Sequence, residues 1–174
     1  MVAQHPRVAR AAALELANKV IDQTESDYLG VMNRVIAPGY GACTLADRLT
    51  ESILDLTDAH ILSGFTEKLP EGEMSVARFD IVGQHILMGD DTISTGGSVE
   101  KSILEAESKG AKVLPVIFCI CNRSGMTHIG DRLIIPLIEV PMQNWKPEEC
   151  PLCMAGSEAI RPKKENWVRL TATY

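Results

Sequence analysis

Between residues 85 and 121 the chain reads strand, helix, strand, and that order limits the folds open to it. His85, Ile86, Leu87, Met88 and Gly89 form a buried-strand run. From there on, Val99, Ile103, Leu104 and Ala106 take helical spacing, and Lys109-Gly110 is a common helix stop. Residues 113–121 make a long apolar strand, and 133–140 another. Helices joining strands of one sheet cross over right-handed, so the pattern predicts an α/β fold: a mostly parallel central sheet flanked by helices on both faces. Upstream the same alternation holds. Pro6 suits a first helical turn, and Val8, Ala12, Leu16 and Val20 share one face of a helix reaching about Asp22. A strand over 31–36 breaks at Ala37-Pro38-Gly39-Tyr40-Gly41, and a second helix runs from Thr44 to about Leu56. Further strands are expected over 60–66 and 74–79, on either side of a turn at 70–73. Beyond Pro141 the periodicity fades into a proline-punctuated tail, so we expect one domain over 1–174 with its tail from about 141.

Composition narrows the function. The 174 residues carry a net charge of −6, the wrong sign for a nucleic-acid binder, which needs a basic footprint. No apolar run approaches the ~20 residues that span a bilayer. Five cysteines, an odd count, and no signal-peptide pattern at the N-terminus lead us to expect a reducing cytoplasm.

Chemistry concentrates just after residue 89. In a parallel sheet the ligand site lies at the carboxyl ends of the strands, where Asp90 and Asp91 fall. Two adjacent ionised carboxylates only accept hydrogen bonds, and a vicinal diol such as the 2′- and 3′-hydroxyls of ribose supplies matching donors. Negative charge beneath a ribose also stabilises positive charge developing at C1. Thr92 is followed by Ser94, Thr95, Gly96, Gly97 and Ser98, which offer hydroxyls and approachable backbone N–H groups at a helix N-terminus. That suits a phosphate monoester. The ordinary alternative for either half alone is an Asp-Asp turn with a Ser/Thr cap; the two halves in series favour the ligand. Rival phosphate signatures are missing: there is no G-x-x-x-x-G-K-[ST], and Gly39-Tyr40-Gly41 lacks the third glycine of a dinucleotide fingerprint.

The run from Ile86 through Asp90-Asp91 to Ser98 resembles the phosphoribosyl-pyrophosphate signature of type I phosphoribosyltransferases. Ala37-Pro38-Gly39-Tyr40-Gly41-Ala42 resembles the G-P-A-Y-x-G pyrophosphate loop of the orotate branch. Gly64-Phe65-Thr66-Glu67-Lys68, with Met74 and Arg78, looks like the segment that carries the family's catalytic loop. Asn122-Arg123-Ser124-Gly125 resembles its D-R-x-x-G turn, with Asn in place of Asp. Cys150-Pro151-Leu152-Cys153 and Gly156 resemble a C-P-L-C-x-x-G tail of a bacterial and archaeal subgroup. The likeness runs from about Pro6 to Pro162.

The resemblance implies transfer of a 5-phosphoribosyl group from 5-phosphoribosyl 1-pyrophosphate to a nucleobase, orotate foremost, in pyrimidine nucleotide synthesis. A purine or other base, or a non-catalytic nucleotide-binding homologue, stands as the alternative. By the same resemblance, residues 94–98 hold the 5′-phosphate and Asp90 and Asp91 the ribose diol. Ala37, Pro38, Gly39, Tyr40 and Gly41 hold pyrophosphate with Lys68, and Arg123 engages the base carboxylate. Mg2+ is expected as cofactor, held mainly by substrate and water with no direct protein ligand. A homodimer is expected, with neither nucleic acid nor membrane as partner. Two departures stand out: a reduced N-terminal hood, with only residues 1–5 before the first helix, and a short loop between Lys68 and Arg78.

Other signals weigh less. Cys150 and Cys153 have half a zinc spacing, but Cys119 and Cys121, the candidates to complete it, sit on one face of an apolar strand. His5, His60, His85 and His128 are scattered without metal or triad spacing. Trp145 and Trp167 read as anchors of the tail or as a dimer contact.

Overall fold

The computed structural model describes residues 5–76, 78–160 and 166–172. The chain divides into two compact units, Met1–Met142 and Gln143–Tyr174. The first holds α1 (Pro6–Gln23), α2 (Ser26–Val31), β1 (Met32–Pro38), α3 (Gly39–Leu56), β2 (Leu62–Lys68) and β3 (Met74–Ser75). It continues with β4 (His85–Ile93), α4 (Gly97–Ser108), β5 (Lys112–Asn122), β6 (His128–Ile129) and β7 (Arg132–Glu139). The second holds two short helices, α5 (Pro151–Met154) and α6 (Trp167–Thr171), with Arg169 gripping Glu158 through both guanidinium nitrogens at 2.6 and 3.2 Å.

The sheet runs β3-β2-β1-β4-β5-β7-β6. Pairings from β2 through β7 are parallel; β3 and β6 close the edges antiparallel. Central strands bury both faces, which is why they read as continuous apolar runs instead of alternating ones. Val35, Ala37, Leu87, Val116 and Phe118 face α1 and α3, while Ile36, Ile86, Met88 and Ile117 pack with Val99, Ile103 and Ala106 of α4. Gly89 leaves no room for a side chain beside β5: a Cβ there would overlap the carbonyl oxygen and ring of Phe118.

Several boundaries differ from the sequence expectation. Along α1 the buried stripe is Ala9, Ala13, Leu16, Ala17 and Val20, and Val8 is exposed. Leu16 and Val20 are buried as expected and Ala12 packs at the edge of the core, so only Val8 of the expected face is misplaced. Val31 ends α2, an unexpected turn of helix, and β1 starts after it. The strand expected over 60–66 lies two residues later. The strand expected over 74–79 stops at Ser75, because Phe79 turns in to cover buried polar cargo. Its ring meets Phe65 edge-on at 5.4 Å and lies 4.9 Å from the guanidinium of Arg34. Arg34 is buried on β1, donates to Gln84 Oε1 and the Ser63 carbonyl, and burial lowers its pKa. In the tail Trp145 and Trp167 are exposed.

Candidate active site

The order of the strands defines where a ligand can sit. From β1 the chain moves outward to β2 and then returns to β4 on the other side of β1, so β1 and β4 flank the switch point. There β1 runs directly into α3, and β4 leads to α4 through three residues.

β4 does not end before the acidic pair, as the sequence implied, but carries it. Asp90 pairs with Cys119 and Thr92 with Cys121 along β5, and the strand closes at Ile93. Aspartates seldom sit in strands; here the ladder to β5 overrides that preference. Ser94, Thr95 and Gly96 turn the chain, and α4 starts at Gly97. Gly96 holds φ +77°, and a Cβ there would meet Ile129 Cδ1 at 3.0 Å. Glu100 N–H makes the first helical bond, to the Gly96 carbonyl at 2.9 Å, leaving the N–H groups of the first turn to a ligand. The resulting hollow, about 150 Å³, is lined by residues 92–99 and Asp90.

Asp90 is half-buried, and its Oδ1 accepts the Asp91 N–H at 2.7 Å. Burial, reinforced by the neighbouring Asp91 carboxylate, pushes its pKa up to about 7, against the opposing pull of backbone N–H groups. Asp91 faces the other junction: its Oδ2 lies 3.7 Å from where a Cβ on Gly41 would be. Thus the acidic pair and the glycine segment, 49 residues apart as Gly41 and Asp90, meet.

At that second junction the strand ends within the expected segment, but no loop separates it from the helix. Pro38 closes β1 and caps α3, and Gly39 turns the chain at φ +66°. Helix begins at Gly39, five residues before Thr44. The side chain of Tyr40 lies outside the described part. Gly39 and Lys68 line a common hollow of about 310 Å³ together with Cys43, Phe65, Thr66, Glu67 and Leu69. Lys68 is exposed at the end of β2. Its strand continues into a tight hairpin: Lys68 pairs with Met74, and Leu69 N–H donates to the Glu73 carbonyl at 2.8 Å. Lys101 of α4 donates to the Gly72 carbonyl at 2.8 Å and Arg78 pairs with Glu67 at 2.8 Å, tying the hairpin down.

Arg123 follows β5, and its N–H donates to the Ile93 carbonyl at 2.7 Å, beside the hydroxyl loop. Its Nε is buried without a hydrogen-bond partner among the described residues. The substituted Asn122 holds this turn. Its Oδ1 accepts from Ser124 N–H and Oγ, and its Nδ2 donates to the Met126 carbonyl at 2.7 Å, a bond an aspartate could not make. The sequence pattern did not reveal that role, nor the part of Thr66, whose hydroxyl meets Ser102 on α4.

Among the described residues no three His, Cys, Asp or Glu side chains converge on a possible metal position. The acid groups at the switch point are the carboxylates of Asp90 and Asp91, an all-oxygen set that suits a hard cation whose remaining shell is substrate and water.

Orotate phosphoribosyltransferase of Desulforamulus reducens is 32% identical over 163 residues, covering 92% of this chain and 78% of that protein. The chain belongs to the orotate phosphoribosyltransferase family. The orotate phosphoribosyltransferase of Caldicellulosiruptor bescii is 30% identical over 163 residues, with 92% and 78% covered. No protein-family model matches the chain. The fold has a solved counterpart in the hypoxanthine phosphoribosyltransferase of Trypanosoma cruzi, with a TM-score of 0.55, 15% identity, and 76% and 77% of the two chains covered. Family membership agrees with the mostly parallel sheet and with the placing of both glycine-bearing junctions at one edge.

Proposed function

We propose that the protein transfers the 5-phosphoribosyl group of 5-phosphoribosyl 1-pyrophosphate to orotate, giving orotidine 5′-phosphate and pyrophosphate in pyrimidine nucleotide synthesis. The observation that carries this reading is the convergence at the switch point: an acidic pair and a hydroxyl-rich helix N-terminus share one hollow, and Asp91 of that pair reaches Gly41 in the first turn of the glycine-started helix.

Each part has a chemical role. Residues Ser94, Thr95, Gly96, Gly97 and Ser98, with Thr92, hold the 5′-phosphate through hydroxyls and first-turn N–H groups. Asp90 and Asp91 accept hydrogen bonds from the ribose diol. Ala37, Pro38, Gly39, Tyr40 and Gly41, with Lys68, hold the diphosphate. Arg123 holds the carboxylate of the base, for which the guanidinium fork is well shaped. As the bond from C1 to pyrophosphate breaks and the base nitrogen bonds to C1, positive charge on the sugar is stabilised by the Asp90–Asp91 pair. Catalysis is then mainly positioning and charge stabilisation. Mg2+, when bound, supplies positive charge to the diphosphate; Asp90 and Asp91 are the residues that would hold it, through substrate and water. The phosphoribosyl site lies in the first unit. The protein works in the cytoplasm as a homodimer, and among the described residues no helix is long and apolar enough to cross a membrane.

The test is loss of orotate absorbance with 5-phosphoribosyl 1-pyrophosphate and Mg2+. The wild type consumes orotate, and Asp90→Asn/Asp91→Asn lowers the rate at least about a hundredfold, the scale of losing a preorganised charge-stabilising group. Orotate that persists with wild-type protein, while another base is consumed, overturns the acceptor assignment alone.

A further inference from the structure

Two buried hydroxyls connect the anion-binding ends of the site. Thr66 and Ser102 are both fully buried, and their side-chain oxygens lie 2.9 Å apart. Ser102 Oγ donates to the Ser98 carbonyl at 2.9 Å. A serine has one hydroxyl proton, so the Ser102 proton is committed to Ser98 and Thr66 is the donor to Ser102. The relay therefore runs from Thr66 to Ser102 to the Ser98 carbonyl, with a fixed direction.

Its ends are informative. Ser98 belongs to the first turn of α4 and lines the hydroxyl hollow. Thr66 lies in register with Pro38 on β1, immediately before Gly39, and two residues before Lys68. It also lines the Gly39–Lys68 hollow. An apolar pair of the same shape would fill this space at little or no cost in stability. Apolar contacts, however, tolerate sliding of α4 along the sheet, whereas hydrogen bonds of 2.9 Å weaken steeply once distance or angle changes.

We infer that Thr66 and Ser102 are positioning residues that set the separation between the 5′-phosphate loop and the pyrophosphate segment. The inference rests on the phosphoribosyl reading above and deepens it. A ligand anionic at both ends gains affinity from having both subsites at the right spacing; a ligand that occupies one subsite does not.

Calorimetry with Mg2+ and three ligands tests this: 5-phosphoribosyl 1-pyrophosphate, ribose 5-phosphate and pyrophosphate. In Thr66→Val, which keeps shape and loses the hydroxyl, the Kd of the two-ended ligand rises about tenfold, while the single-ended ligands change less than about twofold. Thr66→Ser restores wild-type binding of all three. Ser102→Ala gives the same asymmetry by a separate route and serves where Thr66→Val does not fold. Equal weakening of the three ligands, or no change in any, overturns the inference while leaving the phosphoribosyl reading intact. Wild-type protein that binds none of them overturns both.

Discussion

At the end of β4 the chain spends Ser94, Thr95 and Gly96 on turning into a helix, whereas at the end of β1 it spends none. Both junctions use a glycine at positive φ, Gly96 at +77° and Gly39 at +66°. Their surroundings differ. Gly96 is hemmed in by Ile129 and Met126, and its loop carries hydroxyls and follows two carboxylates. Gly39 has open space where a Cβ would stand. The crowded junction leaves no room for a side chain at its glycine, whereas the open one does. One sheet edge thus has a packed junction and an open one.

Substitutions can break that contrast. The largest expected effect is at Gly89, where β4 enters the crowded junction. Gly89→Ala must displace Phe118, and we expect at least about 3 kcal/mol of destabilisation by urea denaturation, the upper range for overpacking. Next, Gly96→Ala combines left-handed strain with the 3.0 Å approach to Ile129 and should cost about 2 to 3 kcal/mol. Gly39→Ala meets only the strain, about 1 kcal/mol. Equal losses at the two glycines would erase the distinction between the junctions.

Smaller effects sharpen it. Asn122→Asp removes the donor to the Met126 carbonyl and should cost about 1 to 2 kcal/mol, with a weaker grip on orotate through Arg123. Calorimetry against denaturation separates the two effects. The most diagnostic effect is on pH. Asp90 has its pKa raised from 3.8 to about 7, so between those values the folded protein keeps a proton that the unfolded chain has released. Stability therefore falls as pH rises from about 4 to 7, then levels off. Asp90→Asn lacks that fall, and its melting temperature should gain on the wild type between pH 5 and pH 8. A constant difference across that range would mean that Asp90 is not held in a desolvating environment.

The two junctions were also unequally legible in the sequence. Asp90, Asp91 and the hydroxyl loop are rare in combination, and their chemistry is readable without coordinates. Their placement inside β4 is not, because hydrogen bonding to β5 outweighs the local reluctance of aspartate to enter a strand. At β1 the periodicity of α3 becomes visible only from Thr44, so its first turn passes for loop. The five residues between Lys68 and Met74 show that the connection is short, but not that α4 pins it through Lys101. Thr66 and Ser102 stand 36 residues apart with no shared pattern, and only the packing of α4 on the sheet brings them together. On α1 the sequence placed Leu16 and Val20 correctly but took exposed Val8 for a core residue, because the first turns are buried through alanines, which carry little hydropathy signal.

The first helix has one more tie. Lys19 donates to the carbonyls of Pro136 and Leu137 at 3.0 and 3.2 Å, a span of 117 residues to the nearer one. Leu16 and Val20 pack in the same core as Ile135 of β7. During synthesis, at ~5–20 residues per second, α1 would leave the ribosome on the order of ten seconds before β7 is made. Throughout that interval its apolar stripe has no finished sheet to cover it, and a chaperone that shields short amphipathic helices would find its substrate there.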